Sequence, residues 1–221
     1  MNRLCLSFFV VLCFIATSHT QAAILYQIDD FQTDSTPRGW DGFKESYTGP
    51  PERMEGGPGG IGDYYLEQHT TGFHLAVYNA AQWRGDYLGA GIAGVELGIN
   101  HLAGSDPVAL RIAVTGPGGF FSSAVPTPIA AGQWGNYVFG LTASDLVYVA
   151  GGSGDLADTL SAVEKLLFRH DPYDQPTRPG FHPEHIVGTA GFDNIVAIPT
   201  PEPATLMILA LSSLAALRRR R

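Results

Sequence analysis

The stretch "GVELGIN", Gly94 to Asn100, places Val95, Leu97 and Ile99 on one side of an extended chain and Glu96 and Gly98 on the other. Successive side chains of a strand point to opposite faces, so this period of two specifies a strand with one buried face. "GFHLAVYNA" sets out Phe73, Leu75 and Val77 in the same way, and "AILYQIDDF" opens with the same alternation. "PVALRIAVTG", "QWGNYVFGL" and finally "AGFDNIVAI" continue the series, with "GPGG" and "AAGQ" as breakers between strands. Helix is scarce. Only "SGDLADTLSAVEKLLF" offers a cap followed by helical spacing, through Leu156, Leu160 and Val163, and it yields to a strand around "KLLFRHD". The expected fold is all-β, two packed antiparallel sheets with one or two short helices.

Both ends of the chain read as signals rather than as parts of that sandwich. "MNRLCLSFFVVLCFIATSHTQAA" has a basic start with Arg3, an apolar run from Leu4 to Ala16 and a polar stretch ending in small residues. This is the layout of a secretory signal peptide, residues 1–23, cut after Ala22 or Ala23. Cys5 and Cys13 lie inside it, so the mature chain has no thiol and no disulfide. At the other end, "PTPEPATLMILALSSLAALRRRR" joins a Pro-Glu-Pro triplet, Pro201, Glu202 and Pro203, to an uncharged run and to Arg218, Arg219, Arg220 and Arg221. The run from Ala204 to Leu217 has 14 residues. As a helix it would be about 21 Å long against a hydrocarbon core of roughly 30 Å, a marginal transmembrane span. The arginines act as a membrane stop and keep their side in the cytoplasm, leaving the body outside. Prolines ahead of the run hold the chain extended and open to a processing enzyme.

The body, residues 24–198, is long enough for one domain with a real core. Within it, 8 basic residues face 20 acidic ones, a net charge of −12. Such a surface repels phosphates, and no basic stripe with interleaved aromatics is present, so nucleic-acid binding is excluded.

The tail, residues 199–221, resembles the PEP-CTERM sorting signal of Gram-negative bacteria in the order, spacing and position of its three parts. That resemblance implies an exosortase as partner, transient anchoring in the inner membrane, and release to the cell surface or an extracellular polysaccharide matrix. A second resemblance covers roughly Phe31 to Ile198. "QWRGDYLGAGIAGVELGIN", "QWGNYVFGL", "LSAVEKLLFRHDP" and "GFDNIVAI" follow one another as in the laminin B domain and its jelly-roll relatives among carbohydrate-binding modules. It implies a sandwich that binds or organises matrix rather than catalysing. In such modules a calcium ion often ties the first strand to the last. The matching carboxylates here are Asp30, in "QIDDF", and Asp193, in "GFDNI", with Asp29 turned by alternation to the opposite face.

Within the body, Trp40, Tyr64, Tyr65, Trp83 and Tyr173 are candidate stacking platforms for a glycan, half or more of them being expected in the core. The alternative is a hydrolase acting on glycans or esters, for which Asp63, Glu67 and Glu96 are the available carboxylates. "RHDPYDQPTRPGFHPEHIVG" gathers His170, Asp171, Asp174, His182, Glu184 and His185, residue types that suit zinc, although its prolines and lack of period set no geometry. "GGPGGIGDYY" lacks the Lys-Ser/Thr of a phosphate loop and reads as a flexible loop. Arg84 to Asp86 spell "RGD" inside an expected strand, where chance accounts for it.

Overall fold

The computed structural model describes residues 22–33, 37–42, 50–102, 104–179 and 184–199. The signal peptide through Gln21, the sorting residues Pro201, Glu202 and Pro203, and Arg218 to Arg221 lie outside the described residues. In chain order the elements are β1 (Ile28–Asp29), β2 (Trp40–Gly42), β3 (Glu52–Gly57), β4 (Gly60–Phe73), β5 (Ala76–Asn79), α1 (Tyr87–Ala90), β6 (Gly94–His101), β7 (Val108–Gly116), β8 (Gly119–Ser123), β9 (Thr127–Ile129), β10 (Trp134–Gly140), β11 (Leu146–Ala150), α2 (Leu156–Leu160), β12 (Lys165–His170) and β13 (Ile186–Ile198).

These strands form two antiparallel sheets. One has six strands in the order β10-β6-β13-β4-β3, with β1 also on β13. The other has seven, β11-β8-β7-β12-β5-β2, with β9 on β7. The long β13 organises the first sheet. β4 pairs with its residues 186–192, and β1 takes over at Ile195 and Val196. β6 covers the other edge, across a bulge between Asp193 and Val196 where Asn194 has φ of +49°.

The alternation seen in the sequence sorts inside from outside. Val95, Leu97 and Ile99 of β6, Leu66 of β4 and Phe192 of β13 face Leu110, Ile112 and Val114 of β7 and Phe168 of β12 in one core. Phe168 sits at its centre, with ring centroids 5.9 Å from Trp40, 5.6 Å from Phe139 and 6.2 Å from Phe192.

Three local expectations change. "GFHLAVYNA" is not one strand: β4 ends at Phe73, and the chain breaks pairing at His74 and Leu75 before β5 joins the other sheet. Leu75 and Val77 are nevertheless buried. "GGPGGIGDYY" is the turn and opening of the β3–β4 hairpin rather than a flexible loop, closed at the pair Gly57 and Gly60. Asp63 holds this turn by accepting the Gly59 N–H at 2.6 Å. The "RGD" residues are not in a strand either. Gly85 makes a single bridge to Val163, and Asp86 caps α1 by accepting the Gly89 N–H. An Asx-type cap competes with extended structure for those backbone donors.

One buried carboxylate ties the two sheets together. Asp29, on β1, is 3 % exposed, and its Oδ2 accepts the indole N–H of both Trp40 and Trp83 at 2.7 Å. Its Oδ1 lies 3.5 Å from Arg38 Nη1. Burial pushes the Asp29 pKa up, and the two indole bonds oppose that shift. An Asp29→Ala substitution leaves two buried indole donors unpaired, at roughly 1–3 kcal/mol each. We expect a urea midpoint lowered accordingly, with Trp83→Phe costing less because it removes donor and contact together.

Candidate functional site

The outward face of the seven-stranded sheet mixes apolar and polar residues, with the small Ala113 and Ser122 near its centre. Across β2, β5, β12, β7, β8 and β11 one row reads Asp41, Tyr78, Leu167, Ala113, Ser122 and Val147. Ala76, Ala113, Phe120 and Leu167 form a small apolar cluster on this face, with Tyr78 and Val149 packed against it. Tyr78 donates its hydroxyl to Asp41 Oδ2 at 3.1 Å and carries Lys165 Nζ 4.4 Å from its ring centroid.

The adjoining row pairs Arg169 with Arg111, both buried. An outward strand position normally keeps such groups in water, so their burial needs a cover. The loop after β12 supplies it. Arg111 donates to the carbonyls of Asp171, Ser123 and Tyr173, and Arg169 donates to the Thr177 hydroxyl and approaches Asp171 Oδ2 at 3.5 Å. Asp171 in turn accepts the Thr177 N–H and hydroxyl, each at 2.8 Å. Burial lowers the pKa of both arginines, and the Asp171 charge opposes the shift. The clamp sets Tyr173 on a held backbone with its side chain outward, 46 % exposed. Asp171 Oδ1 is buried and has no hydrogen-bond partner among the described residues. None of this was read from the loop's residues alone. The signal that could have revealed it is an arginine at an alternating position of an otherwise apolar strand, in "ALRIAV" and "LLFRHD".

A second cluster lies where β1 meets the β13 bulge. The Gln32 amide nitrogen is surrounded by three oxygens: the Asp30 carbonyl at 2.6 Å, Asp63 Oδ1 at 2.7 Å and the Tyr64 carbonyl at 3.0 Å. Asp193 is fully buried, and its Oδ2 accepts the Asn194 amide at 2.8 Å. Its Oδ1 has no hydrogen-bond partner among the described residues. Desolvation raises the Asp193 pKa to about 7, with the charges of Asp63 and Asp30 adding to the rise, which places all three carboxylates within electrostatic reach. Asp29 points the other way, into the core.

The remaining candidates scatter. Trp40 and Trp83 are core residues, and Tyr64 lies under Arg53, 3.4 Å from its ring centroid. Tyr65 is on the outward face of the six-stranded sheet, edge-on to Trp134 at 5.1 Å, and donates to Glu67. Glu96 accepts from Asn136 on the same face. β4 and β6 flank β13, so Glu67 and Glu96 stand two strand spacings apart, roughly 10 Å, and are further offset along the strands. Asp63 belongs to the Gln32 cluster. The histidine loop does not gather either: His170 Nε2 is 3.9 Å from Glu184, and the His74 and His185 rings are 6.1 Å apart. His182 lies outside the described residues. Among the described residues, no three His, Cys, Asp or Glu side chains form a metal centre.

The two antiparallel sheets form a jelly-roll-like β-sandwich. Residues 199–221 match the PEP-CTERM protein-sorting motif. Among solved structures the chain is similar to an exo-β-agarase, at 17 % identity and TM-score 0.53 over 81 % of this chain and 26 % of that one. A second agarase matches at 15 % identity and TM-score 0.50 over 80 % of this chain and 24 % of that one. The chain thus spans about a quarter of these enzymes' length, and at such identity the likeness is one of fold. A family 11 carbohydrate-binding module from Clostridium thermocellum, in complex with a β-1,3-1,4-mixed-linked tetrasaccharide, matches at 15 % identity and TM-score 0.49 over 82 % and 99 % of the two chains. No curated protein matches the chain.

The Asp193 shift has a consequence for stability. The folded state holds this proton up to about pH 7, whereas the unfolded chain releases it near the model value of 3.8. The folded state therefore binds more protons between those values, and its stability falls as pH rises through them. In chelator-treated protein we expect an Asp193→Asn variant to flatten that decline in urea midpoints measured from pH 4 to pH 8.

Proposed function

We propose that the body is a non-catalytic polysaccharide-binding module of an exported protein. Its glycan lies along the outward face of the seven-stranded sheet, beside Tyr173. The observation that carries this reading is the buried Arg111–Asp171–Arg169 clamp, which ties the Tyr173 backbone to the outward face of the seven-stranded sheet and leaves its side chain exposed. Stacking on an aromatic set beforehand avoids the ordering cost that a mobile loop would incur on binding. A hydrolase would need two carboxylates about 5 to 10 Å apart around a cleft. Glu67 and Glu96 are instead held by Tyr65 and Asn136, on strands separated by β13.

The tail supplies the address. Exosortase recognition at Pro201, Glu202 and Pro203, with the apolar run transiently in the inner membrane and stopped by Arg218 to Arg221, delivers the module to the surface or polysaccharide matrix of a Gram-negative cell. Affinity electrophoresis through gels containing soluble polysaccharides, including the producing cell's own, tests the binding. Retardation that Tyr173→Ala weakens at least tenfold, with no release of reducing ends, is expected. Free migration in every gel together with reducing-end release sinks the proposal.

A structural calcium fits the Asp30–Asp193 junction. The unpartnered Asp193 oxygen, the three oxygens around Gln32 and the mutual repulsion of Asp30, Asp63 and Asp193 form the donor chemistry of a hard cation. Asp30 and Asp193 would hold it together with backbone carbonyls, and the ion would cross-link the end of β1 to β13. Calcium should raise the thermal midpoint over that in chelator, by mass action on the native state, and Asp193→Ala should lose the rise. An unchanged midpoint, or an equal rise in the variant, removes the ion from this site.

A further inference from the structure

We propose that the export cut falls between Ala22 and Ala23, and that the α-ammonium it frees on Ala23 becomes a structural group of the mature fold. The inference rests on the reading that the chain is exported, and it begins from the burial of Ala23. Ala23 is 3 % exposed and belongs to the main core, whereas Ala22 before it is exposed. Its N–H donates to the Arg84 carbonyl at 2.7 Å. That acceptor is held in place, because Gly85 and Val163 exchange two backbone hydrogen bonds of 2.8 Å.

Downstream, the segment is stitched to the last strand. Tyr26 N–H donates to the Ala197 carbonyl at 2.9 Å, Ala197 N–H returns to the Gln27 carbonyl at 3.0 Å, and β1 follows. The Gln27 side chain also reaches the Gln82 carbonyl at 3.3 Å. The folded body therefore begins at Ala23. A cut after Ala23 would remove a core side chain and the bond to Arg84. It would also put Gln21 three residues before the cut, where an A-x-A-like site needs a small residue. A cut after Ala22 puts Ala22 and Thr20 at the two small positions.

In the cleavage, water adds to the Ala22 carbonyl carbon and the C–N bond to Ala23 breaks. Ala22 leaves as a carboxylate on the signal peptide, and the Ala23 nitrogen takes up both protons of that water and becomes an ammonium. One of its three donors keeps the Arg84 carbonyl, now as a charge-assisted hydrogen bond. Processing thus replaces a neutral amide contact by a stronger one at the seam between the N-terminal segment and the loop ahead of α1.

The test is intact-mass measurement and N-terminal sequencing of the protein exported by a Gram-negative host from its own signal. A start at Ala23 is expected. A start at Ile24, or at any residue before Ala23, overturns the inference while leaving export intact. A chain that never leaves the cytoplasm defeats export itself and the inference with it. As a second readout, the protein is exported with its signal joined directly to Ile24. The thermal midpoint should drop by a few degrees relative to the Ala23 form, and equal midpoints overturn the structural role of the ammonium.

Discussion

Asp29 is the constraint on which the sandwich turns. One carboxylate oxygen accepts two indole donors, Trp40 from an edge strand of the seven-stranded sheet and Trp83 from the loop before α1, while its own strand pairs with β13 of the other sheet. A charge buried this deeply is tolerated because every available partner is a strong donor, with Arg38 beside it. The indoles so placed form one wall of the aromatic group around Phe168. Hydrogen bonding and apolar packing thus depend on the same three side chains.

The two outward faces are built differently from similar strands. On the six-stranded sheet, Tyr65 and Trp134 close over Gly191, where an added Cβ would come within 2.9 Å of both rings. The aromatics there cover the sheet itself. On the seven-stranded sheet the centre is small and the cover is a loop, held by arginines whose donors are spent on carbonyls. A loop clamped through its backbone leaves its side chains available.

The β1–β13 junction collects what the rest of the fold avoids. Asp30, Asp63 and Asp193 lie within electrostatic reach of one another where the bulge at Asn194 turns the strand, and desolvation, with the charges of Asp63 and Asp30, pushes the Asp193 pKa up to about 7. The pairing of the first strand with the last also carries Asp29 and the Ala23 segment.

Strand content, the scarcity of helix and the inward positions of β6 were legible in the sequence because burial of one sheet face imposes a period of two. The sorting motif at residues 199–221 was legible because membrane insertion and processing read local chemistry. The opposite orientations of Asp29 and Asp30 followed from alternation alone. Tertiary structure decided the rest. That Asp29 meets two tryptophans 11 and 54 residues away, and that Arg111 clamps a carbonyl 62 residues on, depends on which strands become neighbours. The break at His74, the cap at Asp86 and the hairpin at Gly57 were misread because each is settled by a competing local bond or a change of sheet, which hydrophobic period does not record. Tyr173 illustrates the division: its residue type marked it as a possible platform, but only the arginines beneath its loop keep it exposed.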